Sequence, residues 1–279
     1  MGAYLYTNMA SLAAQRNLAN SQDMLKVSTE RLSSGKRINS AKDDAAGAGI
    51  SKRFTGNVQG LRQGVRNAAD GAAMADAGEA ALEQIAQMTL RIRELGVQAQ
   101  NETYSSSDLT NINNEVQSLY AGITGLATNA KYNSIGLLDG SAGITGGKTI
   151  KYTDEVGGGT ITITTAKDFK VGAEVAAIAA TPITDKATAS TMVTTADTLL
   201  TAIATARSDF SKASVTLGYV GAAQSALAEA VDSARSRIED TDYAAETAKM
   251  TRNQILQQAA TAALAQANAM PNTILSLIK

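Results

Sequence analysis

Two short clusters of carboxylates are the side chains best placed to do chemistry. Asp43 and Asp44 are adjacent, and Glu239, Asp240 and Asp242 lie close together near the other end of the chain. Carboxylate oxygens without histidine suit hard cations, so either cluster could hold one. Acidic side chains also cap helices and pair with bases on neighbouring helices. We favour these structural roles over a metal site.

The 279-residue chain contains no histidine and no cysteine. It therefore has no disulfide, no thiolate nucleophile and no zinc site of the usual ligand types, and it lacks the commonest general base. The glycine-rich stretch 140–159 is not followed by the Lys-Ser/Thr of a phosphate-binding loop, so turns explain it better. We predict a protein that is not an enzyme and has no cofactor.

Charge and hydropathy narrow the choice of partners. The net charge is −1, so no basic field points to nucleic acid or to an anionic membrane. No window approaches eighteen apolar residues, and residues 1–6 lack the basic and apolar regions of a secretory signal. We predict no nucleic-acid or membrane partner, and any export from the cell would need a dedicated machine.

The composition favours long, closely packed helices. Aromatic residues make up 4% of the chain, which contains two prolines and is rich in alanine. From residue 199 to 238, apolar side chains recur at alternating steps of four and three, over roughly 60 Å of helix. This pattern predicts a coiled-coil-like seam that needs partner helices. Its principal residues are Leu199, Ile203, Phe210, Leu217, Leu227, Val231 and Ile238, and Gln224 interrupts it.

The first half supplies partner helices with the same periodicity. Matching stripes run over residues 65–99 and 112–130, separated by the polar run 101–107. Ser107 and Asp108 are the predicted cap of the second helix, and residues 40–43 a predicted capping box that opens the first.

The middle and the ends of the chain differ from these stripes. Residues 149–152 and 160–164 alternate and are β-branched, which predicts a hairpin within a β-rich or irregular excursion. Near the N-terminus, Leu18, Leu25 and Leu32 are seven residues apart, with Ser21 and Ser28 between them. Such terminal helices are marginal alone, so we expect them to be disordered in the free chain and to fold against each other or against copies.

The fold prediction is mainly α: a long coiled-coil-like helical bundle formed by N- and C-terminal arms, with a small β-rich or irregular excursion in the middle. Residues 31–47 and, at the other end, residues 236–244, 254–259, 264–268 and 275–279 carry specific motifs in a fixed order. With these motifs the chain resembles the bacterial flagellins over residues 3–139 and 190–279, as a short form without large outer domains.

The resemblance implies a structural subunit that self-assembles into the extracellular flagellar filament for motility, after export through the flagellar type III channel. It implies as partners further copies of the chain, an export chaperone, the filament cap and hook-junction proteins. By the same resemblance, residues 1–42 with 240–279 form an inner-tube helical domain. Residues 43–139 with 190–239 form a helical core domain, and 140–189 a variable, surface-exposed segment.

Residues 90–97 resemble the motif by which stimulatory flagellins bind the innate receptor Toll-like receptor 5. The resemblance implies Arg91, Leu95 and Glu115 as contacts. Leu95 also lies on an apolar stripe, and Arg91 and Glu115 could equally serve packing between subunits.

Three alternatives to a filament subunit differ in class. A hook–filament junction protein shares flagellin-like ends but does not propagate a long filament, and the density of motifs at both ends argues against it. A secreted adhesin would bind glycans through residues 140–190, where Tyr152 and Phe169 alone offer aromatic rings. An enzyme ranks last, because the chain lacks histidine, cysteine and any catalytic motif.

Overall fold

A computed structural model describes residues 8–140, 147–153, 159–164, 168–170 and 172–278, with side chains described as far as residue 270. Predictions that fall on residues 1–7, 141–146 and 154–158 and on Lys279 lie outside this part of the chain. The fold is mainly α-helical, as the sequence predicted. The elements are α1 (Met9–Ser34), α2 (Ala45–Ala99), α3 (Ser106–Asn129), β1 (Lys131–Tyr132), β2 (Ile135–Gly136), β3 (Lys148–Lys151), β4 (Thr160–Ile163), α4 (Ala173–Ala180), α5 (Lys186–Glu239) and α6 (Tyr243–Ile278).

A reciprocal pair of hydrogen bonds fixes the start of α3. The Ser105 hydroxyl accepts from the Asp108 amide at 3.4 Å, and the Asp108 carboxylate accepts from the Ser105 amide at 3.0 Å. This is a capping box, which satisfies backbone donors that the helix leaves unpaired. The cap is Ser105 rather than the predicted Ser107, although the predicted Asp108 takes part.

The start of α2 also differs from the prediction. Asp44 is the cap, because its carboxylate accepts from the amide of Gly47 at 2.8 Å. Asp43 instead accepts from the amide of Ser40 at 2.8 Å, which closes a turn before the helix begins. The predicted capping box over residues 40–43 is therefore wrong as a helix start. Either of the two adjacent aspartates could have capped the helix, but Asp43 closes the preceding turn and Asp44 is the cap.

The chain divides into two compact units. The terminal unit comprises Met1–Gly56 and Ala230–Lys279, and the central unit comprises Asn57–Glu229. The sequence placed these boundaries at 42/43 and 239/240, so the terminal unit also takes in the first turns of α2 and the last turns of α5. The segment 140–189 is not a unit of its own, and its described residues belong to the central unit.

The core of the central unit lies where α2, α3 and α5 pack together. The ring of Phe210 on α5 rests directly on α2, where a Cβ added to Gly78 would lie 2.6 Å from it. One heptad later on α5 and one heptad earlier on α2, Leu217 meets Gly71 in the same way. The two helices are therefore antiparallel, and glycine lets large side chains approach the opposite backbone. The largest fully buried side chains are Phe169, Phe210, Leu82, Ile85, Ile92, Leu95, Ile123, Leu138, Ile163, Ile178 and Met192.

Ion pairs follow the same antiparallel alignment of α2 and α5. Arg93 Nε lies 2.6 Å from Asp197, and Arg207 lies 3.4 Å from Glu79. The side chains in these pairs are partly exposed, so each pair contributes little stability. All of these pairs form in the same register of α2 against α5. They would be lost if one helix slid along the other, so they favour the observed register.

The seam predicted on α5 is correct over its first half and wrong at one position. Leu199, Ile203, Phe210 and Leu217 are buried, but Leu227 is 52% exposed while Ala228 is 6% exposed. An α-helix has 3.6 residues per turn, so a straight face drifts relative to a strict heptad pattern. After Leu217 this drift moves the inward position from residue 227 to residue 228. The last predicted members of the seam, Val231 and Ile238, are half-buried in the terminal unit.

The small β-rich segment that the sequence predicted in the middle of the chain is present, and several of its side chains also enter the core. The predicted hairpin is present as β3 and β4, with Lys148 opposite Ile163. Beyond the hairpin, the amide of Phe169 donates to the carbonyl of Leu138 at 2.9 Å, and the unpredicted helix α4 follows. The buried side chains Ile163, Phe169, Val175, Ile178 and Ile183 belong to the same hydrophobic cluster as α2, α3 and α5.

Replacing Phe210 by alanine tests the packing of the core. Phe210 is 0% exposed, so Phe210→Ala should lower the free energy of unfolding by about 3–5 kcal/mol, measured by urea denaturation followed by circular dichroism. Tyr219→Ala is the matched control on the same helix, because Tyr219 is 75% exposed and its loss should cost within about 0.5 kcal/mol. Equal effects of the two substitutions would show that the face of α5 has been assigned wrongly.

Candidate functional site

Helices α1 and α6, the first and last of the chain, pack as an antiparallel pair in the terminal unit. This pair is here called the terminal hairpin, or the hairpin. At its open end the Asn8 side chain donates to the carbonyl of Ala267 at 2.7 Å, and the Ser11 hydroxyl donates to Asn268 at 2.8 Å. At the other end Arg31 lies 4.0 Å from Glu246. These contacts fix one alignment over the whole described length of the hairpin.

The faces of α1 and α6 that pack together are here called the inner seam. Its positions recur at alternating steps of three and four and are buried or half-buried. They are Ser11, Ala14, Leu18, Ser21, Leu25, Ser28 and Leu32 on α1, and Glu246, Met250, Asn253, Gln257, Ala260, Leu264 and Ala267 on α6. The predicted seam residues Leu18, Leu25 and Leu32 thus lie on the inward face of α1. The most deeply buried residues of this face are the serines Ser11, Ser21 and Ser28 rather than the leucines.

Large apolar side chains are also exposed on both helices outside the inner seam. These exposed residues, here called the outer stripe, are Met9, Leu12, Met24 and Val27 on α1, and Tyr243, Ile255, Leu256 and Met270 on α6. Ile255 is 61% exposed. Met24, Val27 and Leu256 lie together along one groove, and Tyr243, Ile255 and Leu256 along another. Exposed apolar side chains grouped in this way mark an interaction site. The hairpin therefore places large apolar groups where another chain could cover them.

The sequence patterns did not identify the outer stripe. Met9 and Leu12, then Met24 and Val27, are each three residues apart, which is a helical spacing. This signal was present, but an apolar face was expected to point inward. Sequence periodicity shows that a helix has an apolar face. It does not show whether another part of the same chain packs against that face.

A short bridge ties the two chain ends together beside the hairpin. Gly35 has φ +71°, a left-handed conformation that glycine adopts readily, and it ends α1. Lys36 then pairs antiparallel with Asp240, and the amide of Thr241 donates to the carbonyl of Gly35 at 2.9 Å. The amide of Arg37 completes the bridge by donating to the Glu239 carbonyl.

The Glu239 carboxylate stabilises this bridge from the side. Lys36 Nζ lies 2.5 Å from it, and the hydroxyl of Ser51 donates to it as well. These hydrogen bonds, from Lys36 first and Ser51 second, hold the pKa of Glu239 below its ordinary value. The side chain that sequence offered as a metal ligand is thus a partner of Lys36.

The remaining candidate carboxylates also have structural partners. Asp240 accepts from the hydroxyl of Ser236 at 2.5 Å, and Asp242 accepts from the amide of Ala244 at 2.9 Å at the start of α6. Asp43 and Asp44 hold the turn and the cap before α2. Within the described residues no group of three or more acidic side chains could hold a metal ion. The same part of the chain contains no helix with the length and apolarity to cross a membrane.

Arg91 and Glu115 meet on the surface of the central unit. Arg91 Nη2 lies 2.8 Å from the Glu115 carboxylate, and Nη1 lies 3.2 Å from Glu94. The hydrogen bond with Glu115, supported by that with Glu94, raises the pKa of Arg91. Both partners are about half exposed, so the pair is open to solvent. The implied contact Leu95 does not join them, because it is 1% exposed within the core. A direct contact through its side chain is therefore wrong for this fold.

Comparisons with known proteins cover nearly the whole chain. A family model described as the bacterial flagellin N-terminal helical region matches residues 5–143, and one described as the C-terminal helical region matches residues 193–278. A flagellin of Xenorhabdus nematophila is 38% identical, with 100% of both chains covered. A flagellar filament 33 kDa core protein of Treponema phagedenis is 33% identical, with 98% of both chains covered.

One solved structure shares the fold at low sequence identity. It is a protein provisionally described as a flagellar hook-associated protein of Vibrio parahaemolyticus. Its TM-score is 0.59 at 13% identity, and the match covers 71% of this chain and 100% of that chain. This similarity shows a shared helical architecture and nothing of function.

The stability of the bridge at Glu239 should decrease at acidic pH. Because the pKa of Glu239 is lowered on folding, its stabilisation is fully present above its ordinary value of 4.5 and is lost as pH falls through the lower folded pKa. The amides of Arg37 and Thr241 should accordingly lose protection from hydrogen exchange below about pH 4.5. Glu239→Gln should reduce their protection at neutral pH and remove this pH dependence.

The control for this experiment is Asp209→Asn, which removes the exposed pair with Lys212 and leaves the bridge intact. Protection of Arg37 and Thr241 that is the same in Glu239→Gln and in the parent chain at every pH would contradict the assignment.

Proposed function

The chain belongs to the bacterial flagellin family of flagellar filament subunits, and we propose that it assembles into the filament by covering the outer stripe of one copy with the terminal helices of the next. The observation that carries this proposal is the outer stripe itself. Large apolar side chains on both terminal helices remain exposed within the described chain. Burying one such side chain contributes roughly 1.5–3 kcal/mol, so a row of them favours association strongly.

The contact surface also accounts for an open polymer. We infer that the terminal helices of the next copy cover the outer stripe with a different part of their surface, which makes the contact head-to-tail. Head-to-tail contacts that do not close into a ring generate helical filaments. The role is structural, because the carboxylates that could have done chemistry are engaged in caps and pairs.

Export and the other partners extend this proposal. We infer that the subunit is secreted through the flagellar type III channel and that it meets an export chaperone, the filament cap and hook-junction proteins. Family membership and the expected disorder of the terminal helices in the free chain support this inference. The subunit should appear outside cells with an intact channel and remain inside cells without one. Equal secretion from both would refute export by this route.

A substitution in the outer stripe tests assembly. Ile255→Lys places a charge where another copy should bury an apolar side chain, so seeded or salted-out protein should yield no long tubular filaments by electron microscopy. The matched control is Gln254→Lys, because Gln254 is exposed on the same helix and outside the outer stripe. It should polymerise like the parent chain.

Two results would count against the proposal. Normal filaments from Ile255→Lys would show that the outer stripe is not an interface between copies. A parent chain that forms only short caps or no polymer would instead favour a hook–filament junction protein, whose fold the chain also shares.

We further propose that the free subunit is recognised by Toll-like receptor 5 through the surface around Arg91 and Glu115. The two side chains lie 2.8 Å apart on neighbouring helices, so one receptor surface can reach both. Arginine is enriched among residues that dominate binding energy at interfaces. Leu95 would then act only by supporting α2 from within the core.

Replacement of Arg91 tests this recognition. The Arg91→Ala monomer should lose at least about tenfold in potency on receptor reporter cells, which corresponds to about 1.4 kcal/mol of binding energy. Arg93→Ala is the matched control, since Arg93 lies on the same helix in a comparable exposed ion pair with Asp197. A parent monomer that stays silent on cells that answer another flagellin would exclude recognition of this chain.

A further inference from the structure

An apolar face runs along the outside of α5 in the central unit. Its residues recur at steps of four and three, which places them on one side of a helix, and all are exposed. They are Val215, Tyr219, Ala222 and Ala226, here called the α5 ridge. Tyr219 is the most exposed of the large apolar side chains in the described part of the chain. An apolar face left uncovered in this way is typical of a contact with another molecule.

The α5 ridge lies in a stretch of sequence without charge. Residues 213–228 contain no Asp, Glu, Lys or Arg, although these types make up 18% of the chain. The charged residue nearest to Tyr219 along α5 is Lys212, a cation with an exposed side chain. Because complementary charges favour contact and like charges oppose it, a surface that fits the ridge should be apolar or acidic.

The central unit also contains a cavity with these properties. It has a volume of about 370 Å³ and lies between α2 and the strands β1, β2 and β3. Ile150 reaches it because α2 has glycine at position 71, where a Cβ would lie 2.9 Å from Ile150 Cγ1. The charged residue of its lining is Asp70, which is exposed. The apolar and aromatic lining is formed by Met74, Tyr132, Ile135 and Ile150.

The size of the cavity suits one side chain rather than a helix. Ligand pockets measure roughly 300–1,000 Å³, and this cavity lies near the lower end of that range. An aromatic ring inside it would contact Tyr132 and the apolar lining, and aromatic pairs are favourable. A tyrosine that becomes buried also needs a partner for its hydroxyl. The Asp70 carboxylate is such an acceptor, and a hydrogen bond to a charged oxygen is a strong one.

We propose that Tyr219 of one copy inserts into this cavity of a neighbouring copy and donates its hydroxyl to the neighbour's Asp70. Tyr219 does not fill the cavity of its own copy, because it is exposed and is not part of the lining. Leu217 packs on Gly71, so the ridge and the cavity lie at the same level of the central unit.

This contact joins two different surfaces, so each copy keeps a free ridge or a free cavity for the next one. Contacts of this head-to-tail kind extend into open assemblies unless they close into a ring. Because the two surfaces lie at one level, the copies would stand side by side. The inference rests on the proposed self-assembly, and it adds a contact within the central unit to the one at the outer stripe.

Cross-linking of tyrosines in assembled protein tests the contact directly. Photo-oxidation joins touching tyrosine rings by a carbon–carbon bond, and the chain already carries Tyr132 in the cavity. Filaments grown from mixed light and heavy isotope-labelled copies should yield the tryptic peptides 132–148 and 213–235 joined as light–heavy pairs. Such pairs arise only between copies, and Tyr219→Phe should abolish them. Filaments of the parent chain that lack this pair would overturn the proposal.

Substitutions test how much the contact contributes to assembly. Tyr219→Ala should raise the concentration of subunit left unpolymerised at equilibrium, measured after pelleting, by at least about tenfold, since tyrosine is enriched among residues that dominate interfaces. Tyr219→Phe and Asp70→Ala should each raise it less. The two combined should do no more than the larger single effect, because both remove the same hydrogen bond.

The matched control is Leu227→Ala, because Leu227 is an exposed apolar residue of α5 outside the ridge. It should leave the unpolymerised concentration at the level of the parent. A parent-like level in Tyr219→Ala, or an equal rise in Leu227→Ala, would refute the contact. A parent chain that forms no filaments by electron microscopy refutes self-assembly, on which the contact rests, whereas filaments without the cross-link refute the contact alone.

Discussion

The antiparallel register of α2 and α5 is the constraint on which the central unit depends. Apolar burial supplies most of its free energy, at roughly 1.5–3 kcal/mol for each large side chain. Burial alone does not choose between neighbouring registers, since a slip of one heptad could set Phe210 against Gly71 instead of Gly78. That slip would separate Arg93 from Asp197 and Arg207 from Glu79. These pairs, individually worth less than about 1 kcal/mol, add to the preference for the observed alignment because they act together in one register.

The terminal unit uses helices of a similar kind, but large apolar side chains lie on exposed faces as well as on the inward ones. In the central unit the large side chains face the core, and the exposed positions of α5 are mostly small or polar. In the terminal hairpin Ser21 and Ser28 are buried while Val27 and Ile255 are exposed. Composition does not separate the two cases. The difference lies in which faces of each helix the large side chains occupy, and it leaves more apolar surface exposed on the terminal unit.

The sequence predicted the features that periodicity encodes and missed those that tertiary packing decides. The helical arms and the hairpin were predictable, because steps of three and four or of two are specific to helix and strand. Helix α4 was missed, since a short apolar run does not distinguish a helix from a strand. Leu227 was placed wrongly because a strict heptad ignores the drift of a straight helix. The resemblance singled out Arg91 and Glu115, but their ion pair and the burial of Leu95 followed only from the packed structure.

Coupling the folding of the terminal helices to assembly would also shape how a filament grows. A free subunit that must order two long helices loses conformational entropy when it binds, at roughly 1–2 kcal/mol for each residue fixed. Covering the outer stripe contributes part of the free energy that offsets this cost, and the hydrogen bonds and packing of the two helices contribute the rest. The end of an existing filament covers the stripe of both helices, whereas a chance encounter of two free subunits covers part of it. Growth from ends would therefore be favoured over the formation of new nuclei.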